Sequence, residues 1–94
     1  MQGSRNWEKY VDTYSLICSS DGTYGVKLNK DSMKEALRKI FSKSEVLESD
    51  VGGYYRLRYD DIEIALFVPT RTMILIALES KYSDVEEFLE KLFT

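Results

Sequence analysis

Alternation of apolar side chains is clearest between residues 62 and 78, where it predicts two neighbouring strands. In residues 62–68 every second side chain is a large apolar one, the spacing at which strand residues share one face. Residues 73–78 are all apolar, which is typical of a central strand covered on both faces. Pro69 cannot donate to a ladder, so it ends the first strand and begins a turn. A buried helix is the alternative for residues 62–68, but Pro69 and the β-branched residues favour the strand.

Two further segments repeat their apolar residues at helical spacing. Their apolar stripes consist of Met33, Ala36, Leu37, Ile40 and Phe41 in the first segment, and of Val85, Phe88, Leu89, Leu92 and Phe93 in the second. Ser32 with Glu35, and Ser83 with Glu86, have the spacing of a capping box at a helix start. The sequence therefore predicts two amphipathic helices, the first ending near Lys43 and the second closing the chain.

The remaining segments favour strands and turns. Residues 13–19 and 24–28 are predicted to form a hairpin around the Asp-Gly pair at residues 21–22. Tyr54–Tyr59 also alternates, and the two aspartates at residues 60–61 suit a turn into the next strand. Residues 46–51 begin a further strand pattern that Gly52 and Gly53 interrupt. Before the hairpin, a short helix from Ser4 onward is indicated by the spacing of Trp7, Tyr10, Val11 and Tyr14.

This element order predicts one α+β domain over residues 1–94, packed in two or three layers. The expected antiparallel sheet has about five strands: a hairpin, then a helix, a three-strand meander and a final helix, with the short helix in front. The order resembles that of the roadblock and longin families, small cytoplasmic modules that act as dimeric platforms for GTPases and for trafficking or motility complexes. It is also similar to half of a TATA-binding protein. The resemblance is one of element order, so it implies no site residue.

Composition narrows the class of protein. Of 94 residues, 44% are hydrophobic and 31% charged, with seven Tyr, four Phe and one Trp, which suits a folded domain with aromatic rings in its core or at an interface. Cys18 is the sole cysteine, so no disulfide can form within the chain. No apolar run approaches the ~20 residues of a spanning helix, and no leader pattern is expected. These features favour a reducing, cytoplasmic interior away from membranes.

Catalytic chemistry finds little support. The sequence has no histidine, the commonest general base and transition-metal ligand, and one cysteine is too few for a zinc site. Its glycines match no phosphate-binding fingerprint. Asp60, Asp61 and Glu63 are the weak candidates for acid–base work or for binding a hard cation, against the simpler interpretation of solvated turn residues. We therefore expect no enzymatic activity, cofactor or metal.

Binding residues are suggested by two basic features. Tyr54, Arg56 and Arg58 should share one face of a strand, an arrangement that can stack on bases and meet phosphates of nucleic acid. Lys34 and Arg38 belong to the polar face of the first helix, in a basic segment that contrasts with the acidic last sixteen residues. The alternatives are an ion pair of Arg56 or Arg58 with a carboxylate such as Glu63, and ordinary solvated helix faces. The net charge of −3 counts against nucleic acid.

The expected function is a non-enzymatic cytoplasmic protein-interaction or scaffold module. Its expected partner is itself, as a homodimer, or another protein, because apolar and aromatic surface exceeds what so short a chain hides easily. The alternative is a nucleic-acid-binding domain that uses Tyr54, Arg56 and Arg58 together with the basic helix.

Overall fold

A six-stranded antiparallel sheet carries two helices in the computed structural model, which describes residues 6–94. The strands are β1 (Val11–Cys18), β2 (Thr23–Leu28), β3 (Glu45–Ser49), β4 (Tyr54–Tyr59), β5 (Ile62–Phe67) and β6 (Thr72–Ile76). The helices are α1 (Met33–Lys43) and α2 (Val85–Leu92). Short 3-10 turns occupy Asn6–Lys9, Lys30–Ser32, Val68–Thr70 and Leu78–Ser80. The strand order across the sheet is β1-β2-β6-β5-β4-β3, so the N-terminal hairpin joins the meander where β2 pairs with β6.

The α+β class is confirmed, but the sheet has six strands rather than about five. The additional strand is β3, which pairs antiparallel with β4. Its pattern is weak because an edge strand buries little: four of its five residues are exposed. Gly53 adopts a positive φ of 86°, which lets the chain reverse from β3 into β4. The amide of Gly53 closes this turn on the carbonyl of Asp50 at 3.2 Å.

The predicted N-terminal helix is wrong in extent. The described part of that segment holds a single 3-10 turn, Asn6–Lys9, followed at once by strand β1; the beginning of the prediction, at residues 4–5, lies outside the described residues. Trp7 and Tyr10 are buried, as their spacing indicated. The carbonyl of Tyr10, however, accepts from the amide of Asn29 at 2.8 Å, so the backbone here leads into the sheet and does not continue a helical ladder.

Strand β6 is central, as predicted, but it is covered on one face only. Met73 and Leu75 are fully buried, whereas Ile76 on the opposite face is 37% exposed and Ile74 is half-buried. The prediction of cover on both faces is therefore wrong. A continuous apolar run shows that both faces avoid charge, but it does not show what lies on them.

Both helices pack on the same face of the sheet. The ring of Phe41 in α1 lies 4.9 Å from that of Tyr55, and the ring of Phe88 in α2 lies 5.8 Å from that of Tyr59. Tyr55 and Tyr59 are four residues apart on β4, so they point to the same side. The hydrophobic core of the described residues lies between this face and the helices. Its side chains with no exposed surface are Leu28, Ala36, Ile40, Leu57, Ile64, Leu66, Met73, Leu75, Leu78, Phe88, Leu89 and Leu92.

The helices have the predicted stripes, but neither starts with a capping box. The hydroxyl of Ser32 donates to the carbonyl of Lys9 at 2.8 Å and makes no cap hydrogen bond, because the chain enters α1 through the 3-10 turn Lys30–Ser32. Helix α2 is capped by Asp84, whose carboxylate accepts from the amide of Glu86 at 3.0 Å. Serine and glutamate spacing alone did not distinguish the true N-cap from its neighbours.

Neither helix in the described part of the chain combines the length and the apolar character that crossing a membrane requires.

Candidate functional site

One face of the sheet lacks a covering helix within residues 6–94, and we call it the open face. The register of the strands assigns its side chains: Thr13, Ser15, Gly25, Lys27, Glu45, Glu48, Tyr54, Arg56, Arg58, Glu63, Ala65, Phe67, Thr72, Ile74 and Ile76. Ile17 joins them, because a Cβ built on Gly25 would lie 2.6 Å from its Cδ1. The absence of a side chain at Gly25 therefore lets the side chain of Ile17 pack across β2.

The middle of the open face is apolar. Ile17 is 57%, Phe67 38% and Ile76 37% exposed, and between them Ile74 is half-buried. The ring of Tyr54 lies 5.0 Å from that of Phe67, which extends this surface across β4. Scattered apolar residues are normal on a protein surface, but a contiguous patch on a rigid sheet is typical of a contact surface.

Acidic side chains neutralise both arginines of the open face. Arg56 Nη1 lies 3.2 Å from Glu63 Oε2, which confirms the predicted pairing. Its Nε lies 3.4 Å from Glu48 Oε1 without the geometry of a hydrogen bond. Arg58 Nε lies 3.6 Å from Glu45 Oε1. This end of the face is thus charge-balanced, and a phosphate would have to displace carboxylates to reach a guanidinium.

The predicted binding residues do not form one site. Tyr54, Arg56 and Arg58 are brought together on the open face by their alternation along β4. Lys34 and Arg38 are exposed on α1, on the opposite side of the sheet. A nucleic-acid strand lying on the open face would therefore not meet the basic helix.

Asp60 belongs to a polar cluster at the β4–β5 turn. Its carboxylate accepts hydrogen bonds from Lys81 Nζ at 2.7 Å, Lys91 Nζ at 2.9 Å and the hydroxyl of Tyr82. Hydrogen bonds from Lys81, Tyr82 and Lys91 hold the pKa of the Asp60 carboxyl well below its ordinary value of 3.8. The residue has a positive φ of 53°, which aspartate tolerates. An acid held ionised by three donors ties the turn to α2 and is poorly suited to exchanging protons.

We expect Asp60→Asn to remove a pH-dependent part of the stability. A carboxyl whose pKa is lowered by folding stabilises the folded state fully above its ordinary pKa, and this stabilisation is lost as pH falls toward the folded value. The gap in unfolding free energy between wild type and Asp60→Asn should therefore narrow as pH falls from about 5 to about 2. Urea unfolding at several pH values measures it. Asp61→Asn is the control, since Asp61 is 84% exposed and, among residues 6–94, forms its ion pair only with Lys81; an equal narrowing in both variants would contradict this role of Asp60.

Carboxylates elsewhere are also occupied by structural hydrogen bonds. A surface depression of about 400 Å³ is lined by Ser20, Asp21, Gly22, Ala77, Glu79 and Ser80. Asp21 Oδ1 accepts from Thr23 Oγ1 at 2.8 Å, and Glu79 Oε2 accepts from the hydroxyl of Tyr24 at 3.0 Å. Among residues 6–94 no three metal-ligating side chains are grouped as a metal ion would need. The open face is thus the stronger candidate site.

Sequence reasoning identified the charged part of this site and missed its apolar part. Ile74 and Ile76 were assigned to a buried strand because their neighbours are also apolar. The signal that could have found them is the helix count, because two short helices of 11 and eight residues are too few to cover both faces of a six-stranded sheet.

Comparison with known proteins assigns no family to this chain. No family model, curated protein or solved structure gives a significant match. The resemblance to the roadblock and longin families therefore stays a prediction from the sequence pattern, and the functional argument depends on the open face itself.

Proposed function

We propose that this protein is a non-enzymatic protein-interaction module whose docking surface is the open face. The observation that carries the proposal is the apolar patch of Ile17, Phe67, Ile74 and Ile76 on a sheet whose two helices both lie on the other side. Complete burial of one such side chain is worth roughly 1.5–3 kcal/mol. Partly exposed residues would contribute a share of that amount on contact with a partner.

The surroundings of the patch suit a protein partner. Arg56 and Arg58 are already paired with glutamates, so burying the rim would bring no unpaired arginine away from water. An apolar centre with a polar rim is the usual anatomy of a protein–protein interface. The hydrogen-bonded strands also hold the backbone of this face in place, which lowers the entropy lost on docking.

Nucleic acid is the less favoured partner. Tyr54, Arg56 and Arg58 do share the open face, but the arginines meet carboxylates and the protein carries a net charge of −3. Affinity for nucleic acid depends mainly on cations that neutralise phosphates. A protein partner, either a second copy or a different chain in a reducing cytoplasmic compartment, fits the apolar patch better.

Photo-crosslinking tests which macromolecule touches the open face. A benzophenone amino acid at position 76 should form protein adducts when the chain is irradiated in living cells. The same replacement at Glu87, exposed on α2, is the matched control and should form few. Adducts that a nuclease digests would support nucleic acid instead, and equal labelling at both positions would contradict the proposal.

A further inference from the structure

We infer that the open face binds a second copy of this chain, sheet against sheet, about a two-fold axis that runs parallel to the strands between β5 and β6. This inference rests on the proposed function and specifies its partner and geometry. The result would be a helix–sheet–sheet–helix sandwich in which the exposed isoleucines and Phe67 are buried.

The register of the two central strands supplies the first argument. Ile74 on β6 pairs with Ala65 on β5, and in the adjacent open-face row Thr72 pairs with Phe67. Each row thus pairs a large side chain with a smaller one. The large side chain is on β6 in the first row and on β5 in the second. Ala65 is only 7% exposed, and its cross-strand neighbours on this face, Ile74 and Arg56, both have longer side chains.

The proposed axis makes these differences in size complementary. It places β6 of one copy over β5 of the other and keeps each row in register. Ile74 then lies over Ala65 of the second copy, and Phe67 lies over Thr72 of the second copy. Each contact occurs twice because the interface is isologous. Sheets packed in this aligned way interdigitate their side chains at a separation of about 10 Å.

Charge supplies the second argument, because it disfavours the alternative two-fold axis, which would run across the strands. Ser15, Gly25, Ile74, Ala65, Arg56 and Glu48 form one row across the sheet. An axis along that row would place each of these residues on itself, including Arg56 on Arg56 and Glu48 on Glu48. Like charges in an interface are costly. The axis parallel to the strands instead places Arg56 over uncharged Gly25 and Ile17, and Glu48 over Ser15.

The size of the open face is the third argument. Six strands about 4.8 Å apart and about 17–20 Å long give a plane of roughly 450 Å². Two copies would bury about 900 Å² of this plane in total, and side chains that project from it add further area. The total approaches the ~1,200 Å² of the smaller specific interfaces. We therefore expect a reversible dimer with a dissociation constant in the micromolar range.

A residue exchange within the sheet tests the geometry. Ala65→Ile should place two isoleucines against each other, and Ile74→Ala should leave a gap, so each variant should weaken the dimer about tenfold or more. The double variant Ala65→Ile/Ile74→Ala restores a large residue opposite a small one and should return the affinity to within about threefold of wild type. Val51→Ala, in an exposed turn, is the control that should change nothing. Sedimentation velocity from about 1 to 300 μM measures the association.

Every outcome decides between the alternatives. A wild-type chain that stays monomeric throughout overturns the inference, while crosslinks from position 76 to a different protein would still support the proposed function. A dimer that the single variants weaken but the double variant does not restore overturns the axis. A dimer that tolerates both single variants overturns the open face as its interface. Circular dichroism verifies folding. If a variant at Ala65 or Ile74 fails to fold, Ile76→Glu should still abolish the dimer, because Ile76 pairs with Glu63 within the sheet and the axis therefore places residue 76 over Glu63 of the second copy. A dimer that persists in Ile76→Glu overturns the inference.

Discussion

Replacing Phe88 with alanine is expected to destabilise the protein by about 3–5 kcal/mol, the range for large aromatic truncations in a core. Phe88 is fully buried in the middle of α2. Its ring contacts those of Tyr59 at 5.8 Å and Tyr82 at 5.2 Å, so one side chain joins the helix, the sheet and the segment before α2. Truncation would lose this packing and leave a cavity that three different elements cannot easily close.

Urea unfolding followed by circular dichroism measures this effect. Glu87→Ala, exposed on the same helix, is the matched control and should stay within about 0.5 kcal/mol of wild type. Domains of this size have only a few kcal/mol of stability to lose. If Phe88→Ala leaves no folded baseline, Phe88→Leu provides a smaller destabilisation of the same sign. A cost below about 1 kcal/mol for Phe88→Ala would contradict this packing of α2 on the sheet.

Gly22→Ala is the second large effect we expect, at about 2–5 kcal/mol of destabilisation. Gly22 has a positive φ of 69°, a conformation that costs residues with a Cβ roughly 1–2 kcal/mol. A Cβ at this position would also lie 2.4 Å from Glu79 Cβ, and overpacking typically adds about 1–3 kcal/mol. The β1–β2 turn and the 3-10 turn Leu78–Ser80 would have to separate.

Gly52→Ala is the matched control for this substitution. A Cβ at Gly52 would meet no atom within 4 Å, and its φ is not in the positive range. We expect the control to be neutral or to stabilise by up to about 1 kcal/mol, because alanine restricts the unfolded chain. Thermal unfolding of both variants measures the difference, and equal costs at the two glycines would contradict the close contact of Gly22 with Glu79.

Local patterns predicted most of the elements because their causes are local. The alternation in residues 62–68 and the stripes of α1 and α2 report which side of each element avoids water. The paired aspartates at residues 60–61 produced the predicted turn, and both have positive φ values that aspartate accommodates with little strain. The class of fold and its element order therefore follow largely from the chain.

Edges and caps were predicted less well because they depend on neighbours. Strand β3 has four exposed residues, so its sequence carries little alternation, and its pairing with β4 makes it a strand. Ser32 and Asp84 both precede helices, yet only the second caps with its side chain. Whether each residue caps its helix depends on the path by which the chain enters that helix.

The sequence by itself determined that residues 73–78 avoid charge on both faces, that α1 and α2 each have one apolar side, and that Tyr54, Arg56 and Arg58 share one face of β4. Only the tertiary structure decided that both helices lie on one side of the sheet, that Arg56 meets Glu63, and that Ile74 and Ile76 lie on the open face. The physical reason is that hydrophobicity is a property of each residue, whereas cover depends on where distant elements pack, and the same apolar strand fits a core or a contact surface equally well.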